Sequence, residues 1–325
     1  MLIPRYWRRA DSQATTPDGR RIHFHVWRGS RSSEGEAATL AEEAIGRIAA
    51  RIAAGEGFPE RYSYGDRPLR EEVEREFPAA DGGDAPEAAI TRNSYGALVL
   101  NAARVFFIDV DVPRAEKPVA VSSSSSSSLW SLIEGVLGRE RIDALPGVLL
   151  SLLESVLGPR GSVAPAAPSA SADSASPALD RLRRWISSHP DWRVRVYRTH
   201  SGLRYLVTHA LFTPTDAAAQ EAMTALGADP QYVRLCRAQK SFRARLTPKP
   251  WRVGVENPPV RFPFESPGDE RAMREWEARY DRASQGYASC RLLEELGGGG
   301  EHPEVAPLRA LHDERTRAGS SLPLA

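Results

Sequence analysis

Lysine and cysteine are scarce in this 325-residue chain. Two cysteines, Cys236 and Cys290, are too few for a disulfide framework or a four-cysteine zinc site. Three lysines occur, Lys117, Lys240 and Lys249, so arginine carries nearly all the positive charge. No run of about 18 apolar residues is present, which argues against a membrane span. The opening MLIPRYWRRADSQ has no apolar stretch of the signal-peptide kind, so a cytoplasmic protein is the expectation. Neither sign of charge dominates. The 43 Lys+Arg against 42 Asp+Glu leave a net +1, with no global field of the kind that marks many nucleic-acid binders. No internal repeat is visible. The length suits one large domain or two modest ones, with room for a substantial core.

What is there reads as an α+β chain with one long insert. Tyr6–Asp11 and Arg21–Trp27 form a hairpin around Pro17-Asp18-Gly19, with Ile22, Phe24 and Val26 on one face. Glu34–Ala54 has Leu40, Ala41, Ala44, Ile45, Ile48 and Ile52 at helical spacing and is stopped by Gly55. Arg67–Phe77 reads as a shorter, highly charged helix. Ala88–Thr91, Gly96–Leu100 and Arg104–Val112 read as a meander of short strands. Between Pro118 and Ser176 the composition changes. An unbroken serine run (Ser122–Ser128) and an Ala/Ser/Pro-rich stretch (Gly161–Ser176) predict disorder, because they offer little to bury. Two apolar helical pieces lie between them, Leu129–Leu137 and Leu145–Leu157. They suit either an inserted hairpin or a contact with a protein partner or membrane surface.

With the insert set aside, strand VFFIDVDV leads through a helix at Leu179–Ser187 to a strand at Val194–Arg198. That β-α-β spacing predicts a crossover and neighbouring parallel strands. A turn at Thr199-His200-Ser201-Gly202 then leads into an antiparallel strand, Leu203–His209. Helices follow at Thr215–Leu226 and Gln231–Leu246, then an extended, proline- and aromatic-rich segment from Pro248 to Pro267. Helices are expected again at Glu270–Arg282, Cys290–Leu296 and Val305–Arg317. On this reading residues 1–117 and 177–249 are the two halves of one catalytic-like domain. Residues 118–176 are the insert and 250–325 a C-terminal extension.

Three features could carry chemistry. Asp109 and Asp111 are i and i+2 on a strand, so both carboxylates project from one face of its end. They either end the strand in water or meet cations, and a magnesium or manganese ion suits such a pair. The turn at Arg198-Thr199-His200-Ser201-Gly202-Leu203-Arg204 is either an ordinary hairpin or a close approach to phosphate, with Arg198, Ser201, Gly202 and Arg204 as contacts. Asp229, before Pro230, is a natural helix N-cap as well as a possible third carboxylate. The residues after it, including Arg243, Arg245 and Lys249, form a basic segment in a neutral protein. They are either a solvated face or a phosphate contact. His23 and His25 share a strand face with nothing to complete a metal set, and Cys236 reads as a core residue.

The order of FFIDVDV, YRTHSGLRYLV and LGADPQYVRLCRAQKSFRARLTPK resembles the archaeo-eukaryotic primase superfamily, which includes primase-polymerases. The resemblance covers roughly Ala88 to Lys249 without the insert. It implies an RRM-like central sheet with flanking helices and a metal-dependent nucleotidyltransferase acting on nucleotide triphosphates and nucleic acid. Asp109, Asp111 and Asp229 would hold two divalent metals, magnesium or manganese. The turn and the basic segment would bind the triphosphate. The chain departs from the pattern at one place: Arg204 stands near the position of the histidine that usually ends the second motif. Other readings of Asp-x-Asp are a glycosyltransferase holding a metal–diphosphate sugar and a haloacid-dehalogenase-type phosphatase. The first lacks its preceding Gly-rich β-α-β here. The second expects the motif near the chain start, followed by Thr rather than Val112-Pro113. A non-catalytic primase-like binding or scaffold protein is the remaining alternative, and Arg204 favours it.

Overall fold

The computed structural model describes residues 1–56, 69–79, 82–83, 85–112 and 172–325. Within them six α-helices and three antiparallel sheets make an α+β protein. The serine run and the apolar pieces expected at Leu129–Leu137 and Leu145–Leu157 lie outside the described residues.

Strands β1 (Tyr6–Thr15) and β2 (Arg21–Ser30) form the expected hairpin. Alternation along β2 turns Ile22, Phe24 and Val26 inward and leaves His23 and His25 exposed. The inner face packs on α1 (Glu34–Ala53) through a small cluster of Ala10, Val26, Ala41, Ala44 and Ile45. Ser33 caps that helix, its hydroxyl accepting the Glu36 N–H at 3.1 Å.

The second sheet runs β3-β4-β5-β9, with β3 at Glu72–Phe77, β4 at Ala88–Arg92, β5 at Leu98–Ala102 and β9 at Phe242–Arg245. Two expectations are corrected here. The described part of Arg67–Phe77 contains a strand, not a helix. A bulge between Val73 and Arg75 breaks its alternation and hides the strand pattern. The helix expected to reach Leu246 also stops early. This helix, α4 (Pro230–Gln239), follows α3 (Ala217–Leu226) and ends where Lys240 adopts φ 51°. The next residues turn back as β9, with Phe242 and Ala244 in the core.

Strand β6 (Phe107–Asp111) leaves the meander and joins the third sheet, ordered β10-β7-β8-β6. Helix α2 (Ala172–Ser188) carries the chain to β7 (Val194–Thr199), which turns tightly into β8 (Gly202–Val207). This helix begins at Ala172, before the expected Leu179 and inside the stretch expected to be disordered. Strands β6 and β7 run in the same direction, as the β-α-β spacing requires, but they are not neighbours. Each pairs antiparallel with β8, which fills the gap between them. The other edge, β10 (Cys290–Leu296), is a strand where a helix was expected. Its Leu and Glu residues are good helix formers. Pairing with β7 overrides that preference, and a bulge between Leu292 and Glu294 again masks the alternation. A 3-10 turn (Pro250–Arg252), α5 (Pro267–Ser284) and α6 (Val305–Thr316) complete the described chain. The main core draws on both four-stranded sheets. Phe106 and Phe242, from the β6 and β9 sides, pack with ring centroids 4.6 Å apart and planes tilted by 35°.

Candidate functional site

Strand β6 lies at a sheet edge, so one row of its backbone groups needs partners from outside the sheet. The start of α4 supplies them. The Tyr232 hydroxyl donates to the Phe107 carbonyl at 2.6 Å, and the Asp229 N–H donates to the Asp109 carbonyl at 3.2 Å. These bonds bring Asp229 beside the strand that carries Asp109 and Asp111. The three carboxylates line a cleft of about 400 Å³. Ser201, Arg204, Arg243, Arg245 and Lys249 line the same cleft, joined by Arg252.

Not all of these charges are available to a ligand. The β6–β8 register sets Arg204 directly opposite Asp109. The guanidinium grips that carboxylate with both forks, Nε to Oδ1 at 2.7 Å and Nη2 to Oδ2 at 3.0 Å. The Arg204 side chain is only 2% exposed, whereas Asp109 keeps 35% exposure toward the cleft. Burial opposes the Arg204 charge, but Asp109 more than offsets it and holds the guanidinium above its ordinary pKa. Behind the pair, Arg204 Nη1 donates to the Arg245 carbonyl at 2.9 Å and approaches His312 Nε2 at 3.4 Å. His312 is fully buried and its pKa is pushed down to about 4 by burial, so it is neutral near pH 7. Its Nδ1 lies 3.1 Å from Asp313, which assigns the proton to Nδ1 and leaves Nε2 as an acceptor toward Arg204. Arg243 is similarly committed, with Glu71 at 2.8 and 3.0 Å and Asn101 beside it.

With those two pairs set aside, Arg245, Lys249 and Arg252 line the cleft with Asp111 and Asp229, and Arg252 Nη2 is itself held, donating to Ser201 Oγ at 2.9 Å. Among the described residues Lys249 and Arg245 have no carboxylate within 4.0 Å. Burial, then the nearby Arg245 and Arg252, push the Lys249 ammonium below its ordinary pKa. Asp111 is exposed at the end of β6 and accepts no hydrogen bond from a described residue. Desolvation by the cleft walls, then the charges of Asp229 and Asp109, raise its carboxyl pKa, with Lys249 and Arg252 acting against them. Asp229 does act as the α4 cap. Oδ1 accepts the Gln231 N–H at 3.0 Å and Oδ2 the Tyr232 N–H at 3.3 Å. A carboxylate has about four lone-pair sites, so capping leaves acceptor capacity on the cleft side.

Two residues singled out in the sequence stand apart from the cleft lining, Arg198 and Gly202. Gly202 has a backbone reason to be glycine. A Cβ there would sit 2.1 Å from the Val110 carbonyl oxygen, at the position paired with Asp111. Gly202→Ala is therefore expected to force β8 from β6 and cost about 1–3 kcal/mol, read as a lower denaturation midpoint with unchanged m-value. Cys236 is buried, its thiol pushed up to about 12 by burial. Arg252, Tyr95 and Tyr232 escaped the sequence reading. The Lys249-Pro250-Trp251-Arg252 run was the available signal for the first, since its basic residues flank a rigid turn.

Among the described residues, one other acidic set lies outside the cleft lining. Oxygens of Glu72, Glu74 and Glu277 fall within 4.8 Å of one another, whereas Asp109, Asp111 and Asp229 do not form such a set. Arg92 sits 2.8 Å from Glu74 and 2.9 Å from Glu277, and Arg274 pairs with Glu72 and Glu277. That set is an arginine–glutamate network between β3, β4 and α5. No helix among the described residues is long and apolar enough to cross a membrane. Neither a family model, nor a curated protein, nor a solved structure matches the chain.

Proposed function

We propose that the cleft binds the phosphates of a nucleoside triphosphate with magnesium or manganese, and that the protein is a nucleotidyltransferase of primase-polymerase type acting on nucleic acid. The observation that carries this reading is the meeting of Asp109, Asp111 and Asp229 with Arg245, Lys249 and Arg252 around one cleft. The strand order supports it as well. In β6-α2-β7-β8, the last strand lies between the first two, as in an RRM-like sheet, whereas the fourth strand, β10, flanks β7 and leaves β6 at the edge. Asp111 and Asp229 would hold the cation, because the charge of Asp229 acts on Asp111 across the cleft and a cation between like charges relieves their repulsion. A bound cation would neutralise triphosphate charge there. Arg245, Lys249 and Arg252 would hold the phosphates from the opposite side. Asp109, oriented by Arg204, would contribute through its remaining lone pairs.

The bidentate hold of buried Arg204 on Asp109 favours a second reading, a non-catalytic nucleotide-binding protein with the same fold. Purified protein should be titrated with a nucleoside triphosphate and manganese at rising salt, then supplied with a primed template. Binding should weaken as salt rises, because anion contacts in a cationic cleft are screened and release counterions. Primer extension would support the transferase. Binding without extension would support the second reading, and salt-insensitive binding or none would end both.

A further inference from the structure

Trp251 is the most exposed large apolar side chain among the described residues, with 53% of its surface in solvent. It stands on the short turn Pro250–Arg252, between the cleft residues Lys249 and Arg252. The turn is held by its own backbone. Arg252 N–H donates to the Lys249 carbonyl at 2.9 Å, and the N–H groups of Val253 and Val255 both reach the Pro250 carbonyl at 3.0 Å. Proline at 248 and 250 stiffens the approach.

Across from it lies Tyr95, another cleft residue. The two rings meet at 64° with centroids 5.5 Å apart. The Lys249 ammonium lies 5.4 Å from the Trp251 ring centroid and 6.0 Å from that of Tyr95. Tyr95 is also held firmly. Asn93 closes its turn by accepting the N–H groups of Tyr95 at 3.3 Å and Ala97 at 3.0 Å. The following Gly96, at φ 90°, leaves no room for a side chain, since a Cβ would lie 2.1 Å from buried Trp276.

An indole that presents this much area on a rigid turn, beside cations rather than within an apolar patch, suits a flat partner that carries negative charge. A nucleobase joined to phosphates has that chemistry. Stacking on an aromatic face is tolerant of base identity, and cationic neighbours draw in the phosphates. We propose that Trp251, braced by Tyr95, is the stacking surface for the base of a nucleotide whose phosphates rest on Lys249, Arg245 and Arg252. This rests on the phosphate reading of the cleft and adds the base to it.

The test compares wild type, Trp251→Ala and Trp251→Phe for binding of a nucleoside triphosphate, a short oligothymidylate and inorganic tripolyphosphate, each with manganese. Trp251→Ala should weaken nucleotide binding roughly tenfold or more and leave tripolyphosphate unchanged, while Trp251→Phe keeps most of the affinity. Loss with the triphosphate assigns the stacked base to the incoming nucleotide. Loss with the oligonucleotide alone assigns it to the strand. Nucleotide-induced quenching of indole fluorescence should be smaller in Trp251→Phe. Unchanged nucleotide and oligonucleotide binding by Trp251→Ala overturns the proposal, as does parallel loss of tripolyphosphate affinity. A wild type that binds tripolyphosphate as tightly as nucleotide overturns it and leaves the phosphate site standing. A wild type that binds none of the three overturns both.

Discussion

Asp109→Asn is expected to lower the unfolding free energy at pH 7 by on the order of 3 kcal/mol, as the cost of stranding a buried charge. The cause is Arg204 rather than Asp109 itself. Arg204 is 2% exposed and takes both carboxylate oxygens. An asparagine offers one carbonyl oxygen and no charge, so the guanidinium stays buried without its counter-ion. The partial exposure of Asp109 admits some water and keeps the cost at the low end for a broken buried pair. Arg204→Met should cost at least as much, since it also leaves the Arg245 carbonyl without its donor. The double variant Asp109→Leu, Arg204→Met should recover much of the loss, because a buried pair exchanged for packed apolar side chains is often near neutral. Urea unfolding of Asp109→Leu, Arg204→Met and the double variant closes the cycle and gives the coupling. Single variants as stable as wild type would show that the pair contributes nothing and that Asp109 is free for a cation.

That result runs against what the sequence alone suggests. Two aspartates on one strand face read as mutual repulsion, from which either substitution gives relief. The difference lies in register. Asp109 and Arg204 are 95 residues apart in the chain, and their meeting depends on β8 lying between β6 and β7. Strand direction was legible from the β-α-β spacing, but neighbour order was not, because a crossover is compatible with an adjacent strand or with a gap. The same limit hid the grip of Glu71 on Arg243.

Local signals did better where the pattern was regular. The hairpin, α1 and α5 follow alternation or helical spacing, and β7 and β8 are marked by the turn between them. Of the three strands that fall where helices were expected, β3 and β10 each contain a bulge, which shifts alternate side chains to the other face and erases the period of two, and β9 continues a helical stretch that only the turn at Lys240 ends. The carboxylates and most of the basic residues of the cleft were visible by type and spacing. Trp251 was visible too, but its contact with Tyr95 depends on the turn from Lys249 to Arg252 meeting the turn that carries Tyr95.

Asp111→Asn should behave in the opposite way to Asp109→Asn: the apo protein keeps or slightly gains stability, and the response to manganese and nucleotide is lost. No described residue donates a hydrogen bond to Asp111, and desolvation and the charges of Asp229 and Asp109 raise its carboxyl pKa. A carboxyl whose pKa is higher in the folded than in the unfolded chain binds protons more tightly when folded. Its contribution to stability therefore falls as pH rises from the ordinary carboxylate range through the raised folded value. Asp111→Asn removes that dependence, so the gap between wild type and variant should narrow as pH is lowered through the same window. With metal the order reverses. A cation bound only by the folded wild type adds stability by mass action, about 2.7 kcal/mol at a hundred times its dissociation constant, and the variant should gain little of it. Asp229→Asn separates capping from metal binding, because asparagine caps a helix about as well as aspartate. If it keeps both its stability and its metal response, Asp229 is a cap alone. If it keeps stability but loses the metal response together with Asp111→Asn, the cation lies between these two carboxylates. Thermal melts of the three proteins with and without manganese, from pH 4 to 8, decide between these outcomes. A wild type whose melting temperature ignores manganese throughout would remove the cation from the cleft and leave Arg245, Lys249 and Arg252 to hold phosphate unaided.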